Sequence, residues 1–420
     1  MKRVAVTGIG MVSPLGNIAT EVLANATAGR SAICRIDEPW CKRLVSPLAA
    51  CVNFSGDEHF AAPKLRMLDR VSQFAIVAAR QAVGDARFDF ENADRQRVGV
   101  FVGTGMGGSQ TSDDGYHTLY AEQSDRIKPF TILMGMTNAP AAWIGIEYEL
   151  TGPNLTYSTA CSSSAVSIGE AWMRLRNGDL DVAIAGGAEA PLSLGALKAW
   201  EVLHTLARED PFDASKSCKP FSKSRSGMVL GEGATIFVLE DWERAIRRRA
   251  TIHGELIGYG VTTDTSHITR PSVAGQAAAM RAALQAAGCV PASIDTINAH
   301  GTGTQANDSV ETAAIKEVFG ERAYRIPISA TKAIHGHLLG ASGALEFALC
   351  LLAMQHDILL PTMHLELAAE DCDLDYVPNC ARHNVKFDTI MSNSFAFGGT
   401  NAVLVARSAR SAAVRCGQNN

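Results

Sequence analysis

The stretch TACSSSAVSIGEA, residues 159–171, places one thiol, Cys161, in a run of alanine, serine and glycine. The residues after it, Ala165, Val166, Ile168, Gly169, Ala171, Trp172, Met173 and Leu175, are apolar nearly all round at helical spacing. A helix that is apolar on every face is buried on every face. Cys161 then stands at or just before the N-terminus of a buried helix. Free N–H groups and the helix macrodipole stabilise a thiolate at such a place. From spacing alone two readings stay open: a small core cysteine, the common fate of a free thiol, or a reactive nucleophile.

The signals to either side alternate between strand and helix. VAVTGIG, VGVFVGTG (98–105), DVAIAGGAEA and ATIFVLED have strand character in the first part of the chain. Residues 72–83 and 130–149 have helical spacing. A second round follows, with HGELIGYG as strand, GQAAAMRAALQAAG as helix, DTINAHG as strand and DSVETAAIKEVFG as helix. HLLGASGALEFALCLLAMQHD is a further wholly apolar helix, and TNAVLVAR closes the series as a strand. This alternation predicts α/β layers. CSSSAVSIGEAWMRL and LLGASGALEFALCLLAM are both rich in small residues and apolar all round. The expectation is that they share a middle layer between two sheets. The chain divides into two related halves, 1–250 and 251–410, without a linker, and 411–420 is a polar tail expected to fray.

With 420 residues, 47% hydrophobic and 19% charged, the chain can bury two cores. A net charge of −5 gives no nucleic-acid footprint. The opening MKRVAVTGIGMVSPLG breaks at Gly8 and Gly10, too early for a signal-peptide core, and no apolar run is long enough for a bilayer. The ten cysteines are scattered without a CxxC pair. That pattern predicts a reducing, cytoplasmic setting without disulfides or a structural zinc site.

Two histidine stretches add chemistry. INAHGTGTQANDSVET places His300 where a strand runs into a Gly/Thr loop, a position suited to face a cleft. SATKAIHGHLLGASG places Lys332, His335 and His337 before the second buried helix. HGH spacing is a weak metal signal without a carboxylate or cysteine cluster, so no metal site is expected. GTGMGG at 103–108 formally fits GxGxxG, but SQTSDDGY after it lacks the look of a helix packed on that strand. A dinucleotide site is therefore not expected.

Taken together, Cys161 in TACSSS, His300 in NAHGTGT, and Lys332 and His337 in TKAIHGHLLGASG resemble the β-ketoacyl-acyl carrier protein synthases of the thiolase superfamily. The opening VAVTGIGMVSPLG, GPN before the cysteine, GEGA at 231–234 and SNSFAFGGTNAV near the end match as well, so the resemblance covers residues 1–407. It implies a thiolase-like five-layer αβαβα fold and an acyltransferase that performs decarboxylative Claisen condensation. Cys161 takes the nucleophile's role. Neutral imidazoles of His300 and His337 would stabilise the malonyl enolate. Lys332 would orient its neighbours together with Glu311, with Asp308 in support. Backbone N–H groups of Cys161 and Phe397 would hold the acyl-step oxyanion, Phe397 also matching a gating position. Thr302 and Thr304 match contacts to the pantetheine arm, and Met106 a position lining the acyl pocket. No resident cofactor is implied, because substrates ride on the phosphopantetheine arm of acyl carrier protein.

The same resemblance implies a homodimer, or a heterodimer with a chain-length-factor relative, and no membrane or nucleic-acid partner. Arg66, Arg70, Arg126, Lys128 and Arg208 lie in stretches that match the carrier-docking surface. Several residues depart from the family pattern: His335, Gln305, Ser226, Met228, and Ala396 in place of a gating-loop glycine. They leave fatty acid elongation and a specialised polyketide or aryl polyene pathway both open. A thiolase is disfavoured because SNSFAFGGTN lacks that family's second cysteine. A catalytically dead chain-length factor is disfavoured because Cys161, His300, Lys332 and His337 are all present.

Overall fold

A computed structural model describes residues 1–412. The first half contributes strands β1 (Val4–Val12), β2 (Val98–Gly103), β3 (Asn154–Tyr157), β4 (Val182–Glu189) and β5 (Gly233–Asp241). The second contributes β6 (Gly254–Thr263), β7 (Thr296–Asn298), β8 (Ile328–Ser329), β9 (Thr389–Phe395) and β10 (Thr400–Arg407). The order in the first set is β3-β2-β4-β5-β1, and in the second β8-β7-β9-β10-β6. The pairing senses repeat too. β2 is parallel to β3 and β4, and β4–β5 and β5–β1 are antiparallel. β7 is likewise parallel to β8 and β9, and β9–β10 and β10–β6 are antiparallel. One topology is therefore built twice, before and after residue 250.

The two sheets meet at one edge. β1 pairs with β6 from Val4↔Leu256 to Val6↔Gly254, joining them edge to edge into ten strands. Six helices complete the layers: α1 (Arg70–Ala86), α2 (Ala139–Glu147), α3 (Ser163–Asn177), α4 (Val273–Ala287), α5 (Gln305–Phe319) and α6 (Ser342–Gln355). Strand residues alternate between layers. Phe101 of β2 packs inward with Ile168 of α3 and Phe347 of α6, whereas Val100 and Val102 pack outward with Phe74 and Ile76 of α1. In the second half Leu404 faces α3 and α6, while Val403 and Val405 face α4. Sheets covered on both faces lose the apolar/polar alternation, which is why these strands are continuous apolar runs. The result is α1–α2, first sheet, α3–α6, second sheet, α4–α5. Small residues permit the middle layer: a Cβ on Gly169 would lie 2.3 Å from the Tyr259 ring.

Several expectations are corrected. Residues 130–149 form two helices, Thr131–Gly135 and α2, with Pro140 opening the second. SQTSDDGY is helical (Ser109–Tyr116), though it packs beside helix Leu194–Val202 rather than on β2. The tail begins ordered: Ala412 is buried and donates its N–H to the Ser408 carbonyl at 3.0 Å. The rest of the tail, 413–420, lies outside the described residues. Among those described, no helix is long and apolar enough to cross a membrane.

Candidate active site

Cys161 occupies a 3₁₀ turn, Ala160–Ser162, that feeds α3. The serines after it build that turn. Ser163 Oγ accepts the Thr159 N–H at 2.9 Å and donates to the Ala160 carbonyl at 2.6 Å. Ala160 is held at φ +50°, a left-handed conformation that costs a non-glycine residue about 1–2 kcal/mol. The backbone N–H groups of Phe397 and of Cys161 itself point at the sulfur. The helix N-terminus does not produce a resting thiolate. Burial pushes the thiol up to about 11, against the opposing pull of Lys332 and those N–H groups. The unacylated protein thus holds a thiol, in correction of the expected lowered pKa.

His300 and His337 converge on it. Cys161 Sγ and a ring nitrogen from each lie within 4.8 Å of one another. The rings stand edge to face, centroids 5.3 Å apart. Their tautomers follow from their partners. His337 Nδ1 accepts the Leu339 N–H at 3.1 Å, so its proton sits on Nε2. His300 Nδ1 lies 3.3 Å from Lys332 Nζ, which can only donate, so its proton also sits on Nε2. His337 Nε2 is buried with no hydrogen-bond partner. Burial and the Lys332 charge hold both imidazoles well below the usual histidine range, so both are neutral donors at pH 7. One Cys and two His could ligate a soft divalent cation in principle. The Lys332 ammonium against His300 opposes a second positive charge there.

Lys332 bears on His300 together with Glu311, the lysine at its carbonyl and Nδ1 and the glutamate at its N–H. The Lys332 ammonium is ion-paired with Glu346 of α6, both side chains fully buried, and it donates to the His300 carbonyl at 2.6 Å. Glu311 accepts the backbone N–H groups of His300 (2.8 Å) and Gly301 (2.9 Å), and Asn393 Nδ2 at 3.2 Å. Asp308 accepts from the N–H of Thr302 (3.1 Å) and of Phe221 (2.8 Å). The two carboxylates therefore shape the loop carrying His300. Burial pushes both up.

Glu189 does the same for the loop after β2. It accepts from Gly105, Met106 and Gly340 N–H groups at 2.6, 2.9 and 2.9 Å. Neither Glu189 nor Glu346 was singled out from sequence, although each is a lone carboxylate in an apolar stretch. A lone charge in a buried strand or helix must have a partner, and that signal was available.

A cavity of about 300 Å³ opens onto Cys161, His300 and His337 and is lined by Thr302, Thr304 and Phe397. Thr302 Oγ1 and Thr304 Oγ1 are 2.9 Å apart, and Thr304 also caps α5. Phe397 stacks on Trp200, centroids 6.0 Å apart. Met106, Leu197 and Trp200 form an apolar cluster with Cys161. Ala396 avoids the left-handed region; Gly398 and Gly399 take it, at φ +82° and +81°. His335 is buried and bonded to Thr331 Oγ1 at 2.9 Å.

Of the five cations expected from sequence at a carrier-docking surface, Arg66, Arg126, Lys128 and Arg208 are exposed. Arg66 and Lys128 border one cleft. Arg70 is not free for docking. Its guanidinium makes a two-point bond to the buried Glu232, at 2.9 and 2.7 Å, and lies over the Phe74 ring.

Comparison with known proteins places the chain in a family. Residues 1–245 match the N-terminal domain model of beta-ketoacyl synthases and residues 253–366 the C-terminal domain model. A 3-oxoacyl-[acyl-carrier-protein] synthase 2 of Coxiella burnetii is 40% identical over 410 residues, 96% of this chain and 98% of that protein. Among solved structures, a ketosynthase bound to a hexaketide and complexed with its type II polyketide acyl carrier protein superposes with TM-score 0.91. The identity is 30%, over 97% of this chain and 99% of that one. The ishigamide ketosynthase/chain length factor superposes with TM-score 0.90 at 33% identity, over 97% and 99%.

Proposed function

From the premise that this chain belongs to the beta-ketoacyl synthase family, we propose that it catalyses decarboxylative condensation of malonyl-acyl carrier protein with an acyl chain held on Cys161. The observation that carries the reading is the meeting of one thiol and two neutral imidazoles, both with their protons on Nε2, in one cavity. Cys161 Sγ attacks the acyl thioester carbonyl. The N–H groups of Cys161 and Phe397 hold the oxyanion, and the thiol proton departs with the released carrier thiol. Malonyl-carrier protein then loses CO2. The developing enolate oxygen accepts hydrogen bonds from His300 and His337 Nε2–H, aligned for charge that exists only in the transition state. The enolate carbon attacks the acyl-cysteine carbonyl, and the sulfur leaves. Lys332 fixes the His300 tautomer and is itself fixed by Glu346.

Thr302 and Thr304 line the same cavity as Cys161, which supports a role in holding the pantetheine arm, and no resident cofactor is needed for these steps. Acyl carrier protein is the partner, docking on the exposed Arg66, Arg126, Lys128 and Arg208. Nine free cysteines among the described residues fit a cytoplasmic setting. Intact-mass spectrometry with acyl-carrier proteins of varied length and unsaturation tests the reading. A mass gain on Cys161 that malonyl-carrier protein then discharges is the expected result. A folded protein that accepts no acyl group from any donor overturns it.

A second reading pairs the chain with a non-catalytic chain-length-factor relative, and the likeness to the ishigamide pair supports it. Efficient elongation by the purified chain alone would exclude that reading.

A further inference from the structure

Two more thiols meet outside the catalytic cavity. Strand Ile33–Arg35 pairs antiparallel with Leu48–Ala50, Cys34 opposite Ala49. Side chains alternate faces along a strand, so Cys51, two residues beyond Ala49, lies diagonally across from Cys34 on the same face. The two thiols are close enough to perturb each other's ionisation, and both residues are exposed.

The strands carrying them brace the catalytic segment. Ala50, next to Cys51, pairs with Gly231. The Gly231 N–H donates to the His337 carbonyl at 2.9 Å, and the His337 N–H donates to the Val229 carbonyl at 2.7 Å. Just before the other strand, Ala32 donates its N–H to the Ile334 carbonyl at 2.8 Å. The main chain from Ile334 to His337 is therefore held at Ile334 by the residue preceding the Cys34 strand, and at His337 by the segment Val229–Gly231, which pairs with Leu48–Ala50 just before Cys51.

We propose that Cys34 and Cys51 are a redox-active dithiol that hydroperoxide oxidises to a disulfide, and that closing this bond loosens the backbone carrying His337. Cys34 reacts first, since the interaction between the two lowers its pKa and raises that of Cys51. Its thiolate attacks hydrogen peroxide, the O–O bond breaks, and hydroxide leaves. Cys34 is then a sulfenic acid. Cys51 sulfur attacks Cys34 sulfur, and the sulfenic oxygen departs as water with the Cys51 proton. Two thiols lose two electrons and two protons, and one peroxide becomes two waters. Diagonal cross-strand partners have Cα atoms about 7–8 Å apart, beyond the roughly 4.4–6.8 Å that a disulfide spans. Closure must therefore draw residue 51 toward the neighbouring strand and pull on the Ala50–Gly231 pair.

The test does not depend on the condensing reaction. The full-length protein is treated with hydrogen peroxide, remaining thiols are alkylated, and peptides are mapped by mass spectrometry. The expected product is a crosslinked peptide joining residues 34 and 51 that dithiothreitol dissolves. Amide hydrogen exchange should show lost protection at 229–231 and 334–337 in the oxidised protein, restored on reduction. Cys34→Ser and Cys51→Ser, isosteric changes at exposed positions, should each abolish both effects, which separates them from oxidation at Cys161. Full alkylation of both thiols after peroxide, or sulfinic acid at Cys34 without a crosslink, overturns the dithiol. A crosslink with unchanged exchange overturns the coupling to His337.

Discussion

The two middle-layer helices begin alike and end up with different work. Before α3 a left-handed residue, Ala160, leads into the 3₁₀ turn Ala160–Ser162; before α6 the left-handed Leu339, φ +45°, leads into the 3₁₀ turn Leu339–Ala341. In the second position of the turn one half carries Cys161 and the other Gly340. The thiol faces the cavity. Gly340 has no side chain because none fits: a Cβ there would lie 2.4 Å from Gly105 N and 2.7 Å from Glu189 Oε2. Its N–H donates to Glu189 instead. The loops after the parallel strands diverge likewise. β2 runs into Thr104, Gly105 and Met106, while β7 runs into His300, Gly301 and Thr302. On the proposed mechanism a duplicated scaffold yields division of labour: the first half would supply the nucleophile, and the second the donors and the cation that tunes them.

The sharpest way to break this comparison is to remove the thiol. Cys161→Ala should abolish acylation by intact mass and lower condensation by at least about 10³-fold, the scale of losing a covalent nucleophile. His337→Ala or His300→Ala should leave Cys161 acylation in place and slow malonyl decarboxylation by about 10²–10³-fold. Equal loss of both half-reactions would refute the division of labour. Glu346→Ala leaves the Lys332 ammonium buried and unpaired, which should cost about 3–5 kcal/mol of stability in a urea titration. Gly340→Ala should cost about 1–3 kcal/mol by overpacking, whereas a small substitution at Cys161 should not.

Cys161 also has a pH signature. Its folded-state pKa, about 11, is raised above its ordinary value near 9. The stability it contributes is therefore complete below about 9 and is lost as pH rises toward 11. Iodoacetamide labelling of unacylated Cys161 should accelerate about tenfold per pH unit over that range. A plateau near neutrality would mean a resting thiolate.

Much of this was legible from residue patterns because burial on all faces leaves a clear mark. The runs around Ala165 and Leu345 had to be interior helices, and VAVTGIG and VGVFVGTG had to be interior strands. β9 was not legible as a strand. Its Ser392, Asn393 and Ser394 are buried polar residues, and Asn393 is there to hold Glu311. Hydrophobic periodicity has no access to a strand stabilised by hydrogen bonds. The Ser109–Tyr116 helix escaped for a related reason: it is polar and is held by neighbours rather than by an apolar stripe.

The chain by itself determined which side chains could do chemistry. Cys161, His300, Lys332 and His337 are fixed by residue type and local turn, and short-range structure delivers each to the end of a strand or the start of a helix. Tertiary structure decided who partners whom. Glu346 pairs with Lys332, Glu232 occupies Arg70, and burial makes Cys161 a thiol and both histidines neutral. Pairing and burial depend on residues dozens to hundreds of positions apart, and local sequence carries no term for their distance.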